Sequence, residues 1–477
     1  MYDVIIIGAG VIGAATAYCL SRYNLKVAIL EAQNDVACGT TKANAALIHA
    51  GYDAKPGSLM AKYNREGSLM MEELCKKLDV PYKRNGSLVL AFDDENLETL
   101  KVLLDRGHQN GIEGLKILNK EETKKMEPYV SDECLGSLYA PTAAIVSPWE
   151  LCLALAETAV RNGVELFLNN RVESISKEND IFTVITDKDT YHSKYIVNAA
   201  GVNTDTIHEM IGEKEFTISA NKGQYYLFDK AQGYLTTKTL FPCPSTKGKG
   251  CAVTPTVGGN LVIGPDSSPC TKDDLDTTAE GLMFVKKASS RMVPKLDFRE
   301  NIRNFAGLRA KCDRDDFIVE ESKSVRNFFN LAGIASPGLS SSIAIGNAVL
   351  EWLKSKEKLI EKENFIDSRK RIKFMSLSDE EKNELIKKNP AYGRIICRCE
   401  LITEGEILET FNTPIPPVSI DGVKRRVKAG MGRCQGGFCG EKVAMILKDK
   451  LGLEYDEILQ DKKGSNILFN EAKGGQY

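Results

Sequence analysis

The chain opens on a continuously apolar run, Val4-Ile5-Ile6-Ile7, the pattern of a strand covered on both faces. Gly8 to Gly13 interrupts it. Ala14 to Tyr23 then reads as a helix of small residues, and Lys26 to Leu30 as a second strand, so the opening predicts a βαβ unit. After Gly57, apolar positions recur at helical spacing through Leu78. A strand pair is predicted around Arg84 to Ala91, and a helix around Glu95 to Asn110. Pro148 opens a helix over Trp149 to Asn162, because proline is preset for a first turn. Strand patterns follow at Glu165 to Leu168 and Arg171 to Asp187. Tyr195 to Ala199 is short and continuously apolar, as inside a parallel sheet. From Phe216 to Pro265, β-rich runs broken by Gly and Pro predict an antiparallel sheet. A strand at Phe328 to Leu331, a loop at Ala335 to Leu339 and a helix from about Ser342 to Leu353 complete the main body.

Beyond it the pattern changes. Between Lys354 and Phe374, 12 of 21 residues are charged, which predicts a solvated helix or linker. A cysteine-bearing module spans about Pro390 to Leu451, and the polar tail after Asp461 is expected to be loosely ordered. At roughly 150 residues per domain, the 477 residues suggest three structural units. With 63 Lys and Arg against 65 Asp and Glu, no basic excess exists to neutralise phosphates, so nucleic acid is an unexpected partner. No apolar run reaches the ~18 residues of a membrane-spanning helix, and no basic stretch precedes the first strand as in a signal peptide. The expected location is the cytoplasm, with peripheral attachment at a membrane surface as the alternative. Most of the 13 cysteines, such as Cys19, Cys152 and Cys312, are scattered singly, as buried small hydrophobes in a reducing compartment are.

Gly8, Gly10 and Gly13 form G-x-G-x-x-G directly after a strand and at a helix start. The first glycine allows the turn, the second lets a pyrophosphate approach the backbone, and the third lets helix and strand pack closely. Phosphate charge then meets the helix N-terminus. Glu31 ends the second strand, 18 residues after Gly13, where a carboxylate can take ribose hydroxyls. With strand, helix, second strand and acid all in register, the unit predicts dinucleotide binding. Two further stretches point to a flavin. Tyr195 to Asn198 runs into Ala199-Ala200-Gly201, small enough for a second cofactor contact. Gly333 to Leu339 leads into a helix whose free N–H groups can stabilise a reduced flavin.

Together these stretches resemble the D-amino-acid-oxidase-like FAD oxidoreductases, over nearly all of the first 355 residues. Thr40-Thr41-Lys42-Ala43-Asn44-Ala45-Ala46-Leu47-Ile48-His49-Ala50-Gly51-Tyr52, followed by Lys55 to Leu59 and Lys62, is similar to the branch of FAD-dependent glycerol-3-phosphate dehydrogenases and L-2-hydroxyglutarate oxidases. The resemblance implies an α/β fold: an FAD-binding Rossmann-like domain of the glutathione-reductase type (residues 1–80, 145–215 and 305–354), with an inserted antiparallel-sheet substrate domain (81–144 and 216–304). A charged linker (355–389), a small helical [2Fe–2S] domain (390–452) and a tail (453–477) follow. It implies FAD contacts at Gly8, Gly10, Gly13, Glu31, Thr40, Thr41, Val172, Ala200, Gly201, Gly338 and Leu339.

Oxidising a secondary alcohol with a flavin requires hydride transfer and loss of the hydroxyl proton, hence a base within hydrogen-bond reach. Of the four histidines, His49 is the candidate, because imidazole titrates near ~6.5 and this one lies in a Gly- and Ala-rich loop. The resembling glycerol phosphate enzymes also carry a histidine here. His108, His192 and His208 are expected to be exposed or structural. An anionic substrate needs a cationic clamp, and Arg offers a fork suited to phosphate or carboxylate. Arg309, in Phe305-Ala306-Gly307-Leu308-Arg309, resembles the family's substrate-binding arginine; its alternative is a surface ion pair with Asp313, Asp315 or Asp316. Lys249 is a second clamp candidate and also a catalytic one. Ser336 is expected to bond substrate or flavin, or to cap a turn.

Cys397-Arg398-Cys399 is separated by 34 residues from Cys434, with Cys439 five further on. Four thiolates without a nearby histidine suit a [2Fe–2S] cluster better than zinc; disulfides or free thiols are the remaining alternative. The pattern, with Glu400, Gly405-Glu406-Ile407 and Arg425 to Gly440, resembles the bacterioferritin-associated-ferredoxin-like domain found fused to flavin dehydrogenases. The expected function is therefore an FAD and [2Fe–2S] dehydrogenase of a small anionic secondary alcohol, sn-glycerol 3-phosphate foremost. Electrons would pass to a redox partner, either an NADH-linked flavoprotein, an iron–sulfur subunit or a quinone. Alternatives are oxidation of L-2-hydroxyglutarate, an amino- or imino-acid dehydrogenase, or a non-catalytic electron-transfer subunit.

Overall fold

The computed structural model describes residues 1–244 and 250–469. Its centre is an eight-stranded sheet. Tyr2–Ile7 pairs in parallel with Val27–Leu30 on one side and Thr190–Asn198 on the other. Glu165–Phe167 and Phe328–Ala332 extend the parallel array outward. Val4, Ile5 and Ile6 have no exposed surface, each contributing about 1.5–3 kcal/mol of burial. The helices Val11–Leu20, Leu59–Lys77, Pro148–Arg161 and Gly338–Lys356 cover one face. The hairpin Val172–Glu178 and Ile181–Thr186 joins the edge, and Val172, Phe182 and Val184 contribute to the core on the other face.

A nine-stranded sheet forms the second layer. Its spine is the pairing of Ile218–Phe228 with Asn301–Cys312. This long strand crosses the boundary expected at 304/305, because its pairing with residues 218–228 is continuous. The sheet is antiparallel except for Thr239–Pro242, which runs parallel to Ser87–Ala91. The strand pair expected over Arg84 to Ala91 divides between sheets: Tyr82–Lys83 pairs with Ala144–Val146, and Ser87–Ala91 with Gly136–Ala140. The helix expected from Ser342 starts earlier, at Gly338.

The linker is not merely solvated. Arg369, 3% exposed, pairs with the buried Glu157 at 2.6 Å. Arg371 reaches Glu150, and Lys373 reaches Asp79 at 2.6 Å. Composition predicted solvent for these charges, but buried acids on the helix Pro148–Arg161 receive two of them. The C-terminal module packs the helices Glu404–Glu409, Ile420–Val427 and Gly440–Leu451 around Ile407, Val423, Val443 and Leu447. Ile458, 1% exposed, belongs to that core. Through residue 469 the tail is tied back, with Ile467 N donating to Ile458 O at 3.1 Å and Asp461 held in ion pairs, so the loosely ordered tail is corrected over that range. No helix among the described residues is long and apolar enough to cross a membrane.

Candidate functional site

A cavity of 1490 Å³ runs from the first βα turn to the second sheet, larger than the roughly 300–1,000 Å³ of ordinary ligand pockets. At one end Gly8 has φ +103°, and an added Cβ at Gly13 would stand 1.9 Å from Gly8 O. At Gly10 an added Cβ would stand in ordinary contact with Thr41 Oγ1, at 3.5 Å. Val11 N donates to that same hydroxyl at 3.0 Å. Glu31 Oε2 accepts from Ala9 N at 2.7 Å and Oε1 from Gln33 N at 2.9 Å. Burial pushes the carboxyl up against the pull of these bonds. A carboxylate has about four lone-pair sites, so acceptors remain for ribose hydroxyls. Val172, Ala200 and Gly201 line the same wall. Thr40 also lines it, with its hydroxyl donating to Leu308 O at 2.6 Å.

At the other end, His49 Nε2 hydrogen-bonds Ser336 Oγ at 3.2 Å, and His49 N donates to Ser340 Oγ at 2.8 Å. The imidazole stacks on Phe241, with centroids 5.9 Å apart. Gly338 and Leu339 present the start of the helix Gly338–Lys356 to the cavity. Arg309 lines this cavity instead of pairing with Asp313, Asp315 or Asp316. Its Nη2 donates to Lys222 O at 3.0 Å and Asp266 O at 2.6 Å. Its Nε is buried without a hydrogen-bond partner. A buried unspent donor on a cation is costly unless an anion completes it. Lys249 lies outside the described residues; its neighbour Gly250 lines the cavity. His208 is structural: 1% exposed, it bonds Glu213 O and Asn330.

Sequence reasoning missed Phe241, Asp266 and Asp461. Asp266, 4% exposed, takes Gln224 N at 2.6 Å and Gln224 Nε2 at 2.8 Å, fixing the carbonyl that tethers Arg309. The turn Gly264-Pro265-Asp266-Ser267 was its only sequence signal.

The four late thiols stand as two pairs. Cys399 Sγ lies 3.6 Å from Cys434 Sγ, while Cys397 and Cys439 are buried together. The hydrogen bond from Cys439 brings the Cys397 thiol down to about 6 and pushes Cys439 up. Among the described residues no three His, Cys, Asp or Glu converge as a single metal ion needs. Cys397, Cys399, Cys434 and Cys439 are the four-thiolate donor set that would hold a [2Fe–2S] cluster, which would supply one-electron transfer. An added Cβ at Gly432 would lie 2.2 Å from Cys399 Cβ, so the ligand turns require glycine to approach.

Residues 3–352 match the family of FAD dependent oxidoreductases (DAO), and residues 395–449 the BFD-like [2Fe-2S] binding domain. The chain belongs to the DAO family, and its cofactors are FAD and a [2Fe–2S] cluster. More particularly, it is 53% identical over 476 residues to "Glycerol 3-phosphate dehydrogenase" of Caloramator mitchellensis, covering 99% of each chain. It is 34% identical over 370 residues to "Glycerol 3-phosphate oxidase" of Mycoplasma genitalium, covering 75% of this chain and 95% of that one. The structure of "L-alpha-Glycerophosphate Oxidase from Mycoplasma pneumoniae with FAD bound", in its dithionite-reduced form, superposes with TM-score 0.74 at 33% identity. That match covers 77% of this chain and 98% of the other.

Proposed function

We propose that this chain oxidises sn-glycerol 3-phosphate to dihydroxyacetone phosphate as a dehydrogenase, its electrons leaving singly toward a protein or quinone acceptor. Bound FAD supplies the two-electron acceptor and the cluster the one-electron relay. The chain's own residues do the rest. Gly8, Gly10, Gly13, Glu31 and the helix start at Val11 hold the dinucleotide, and Cys397, Cys399, Cys434 and Cys439 hold the irons. Arg309 Nε–H binds the phosphate, with Lys249 as a second cation. His49 Nε2 accepts the hydroxyl proton, oriented by Ser336 and by the bond from His49 N to Ser340 Oγ.

The observation that carries this reading is the unspent Nε donor of Arg309 in the cavity that also holds His49. Likeness to the glycerol 3-phosphate enzymes supports the choice of substrate. The test is an anaerobic panel of sn-glycerol 3-phosphate, L-2-hydroxyglutarate and proline, read as bleaching of the flavin band. Glycerol 3-phosphate is expected to bleach it fastest. Faster bleaching by either other compound overturns the substrate assignment, and indifference to all three favours a pure electron carrier.

A further inference from the structure

Residues 31–42 form the loop that carries Glu31, Thr40 and Thr41 to the dinucleotide end of the cavity. The iron–sulfur module and the tail that follows it grip this loop at three points. Asp35, 2% exposed, accepts at Oδ2 from Arg425 Nη2 at 2.9 Å and Arg426 Nη1 at 2.8 Å, and at Oδ1 from Arg426 Nη2 at 3.0 Å. Asn34 Nδ2 donates to Asp461 O at 2.7 Å. Lys42 Nζ meets Asp461 Oδ2 at 2.5 Å, while Asp461 Oδ1 takes Arg425 Nη1 at 2.7 Å.

The position of these groups in the module gives the contacts their meaning. Arg425 and Arg426 lie on the helix Ile420–Val427, between the two ligand turns Cys397–Cys399 and Cys434–Cys439. That helix packs by Val423 into the same small core as Cys397, Cys439 and Ile458. Asp461 follows Ile458 by three residues, and it lines the cavity with Lys462. Cys397 and Cys439 are themselves members of that core, so a centre cross-linking the two ligand turns adds to the order of the helix packed between them.

We propose that the iron–sulfur module is the latch on the FAD-binding loop, so that cluster occupancy controls FAD retention through Asp461, Arg425 and Arg426. With the irons in place, the helix Ile420–Val427 is fixed and the loop is held closed over the dinucleotide. When they are lost, the helix loosens, Asp35 and Lys42 lose their partners, and FAD escapes more readily. Coupling of binding free energies is reciprocal, so bound FAD also protects the irons. The latch does not depend on which substrate the enzyme takes.

The test follows the rise of free-flavin fluorescence after dilution of the full-length holoenzyme. Three proteins are compared with the parent: Asp461→Asn, unmutated protein stripped of iron by an anaerobic chelator, and Lys230→Gln. The last removes the 2.9 Å pair between Lys230 and Glu400, which joins the module to the second sheet away from the loop. Asp461→Asn and the stripped protein are expected to lose FAD about fivefold faster or more, whereas Lys230→Gln stays within about twofold of the parent. An unchanged rate in Asp461→Asn, or in the stripped protein, overturns the latch. So does equal acceleration by Lys230→Gln, which would make any loosening of the module sufficient.

Discussion

Replacing Arg309 by Leu removes the cation whose Nε has no partner and whose Nη2 spends its protons on Lys222 O and Asp266 O. A charge-assisted hydrogen bond contributes about 1.5–3 kcal/mol, and losing the cation beside the phosphate adds to it, so about 3 kcal/mol of transition-state binding is at stake. At 1.36 kcal/mol per factor of ten, that is a loss of about 100-fold in kcat/KM. The two carbonyls left without a donor cost a further ~1–3 kcal/mol of stability, read separately as a lower unfolding midpoint. Glycerol, the same alcohol without phosphate, provides the control. In a dye-linked assay the preference for glycerol 3-phosphate over glycerol should shrink by about 100-fold in Arg309→Leu. Arg309→Lys, keeping charge but not the planar donors, should fall between. An unchanged preference in Arg309→Leu would refute the clamp, whatever the loss in overall rate.

His49→Asn should lower kcat by about 10²–10⁴-fold while leaving FAD content intact; near-normal turnover removes the base from the account. Gly13→Ala drives a Cβ to 1.9 Å from Gly8 O and should yield protein with little bound flavin, read as the ratio of visible to ultraviolet absorbance; a full complement of FAD contradicts the close-packing argument. Lys42 and Arg425 hold the Asp461 carboxyl down, against burial, at about 2 where 3.8 is ordinary. Because its folded value is depressed, the stabilisation is complete above about pH 4 and is lost as pH falls through about 2, an effect of about 2 kcal/mol. The difference in unfolding midpoint between the parent and Asp461→Asn should therefore shrink between pH 5 and pH 2; a constant difference contradicts the ion pairs.

What the sequence revealed was local. Gly8, Gly10, Gly13 and Glu31 sit within one βαβ unit, where turn geometry, helix start and strand end each leave a mark on neighbouring residues. Cys397, Cys399, Cys434 and Cys439 are legible for the same reason, as two pairs of thiols at short spacing, the second in a glycine-rich turn. Contacts closed by the tertiary fold leave no such mark. Arg369 meets Glu157 across more than two hundred residues, so a run of charges that reads as solvated is partly buried. Asp461 looks like polar tail, yet Lys42 and Arg425 make it part of the cavity wall. The pairing of Thr239–Pro242 with Ser87–Ala91 is parallel because these strands come from separate segments of the chain, and alternation within either strand carries no direction. Arg309 is singled out by its neighbours in sequence, but the bonds by which Asp266 fixes its tether close only in three dimensions.

Mixing the anaerobic holoenzyme with sn-glycerol 3-phosphate, then freezing it for electron paramagnetic resonance, follows the electrons from the alcohol to the late cysteines. The expected result is dihydroxyacetone phosphate in proportion to flavin bleached, together with the signal of a reduced [2Fe–2S] cluster. Product formed while the cluster stays fully oxidised would contradict electron exit through the late cysteines, and absence of product would contradict the oxidation itself.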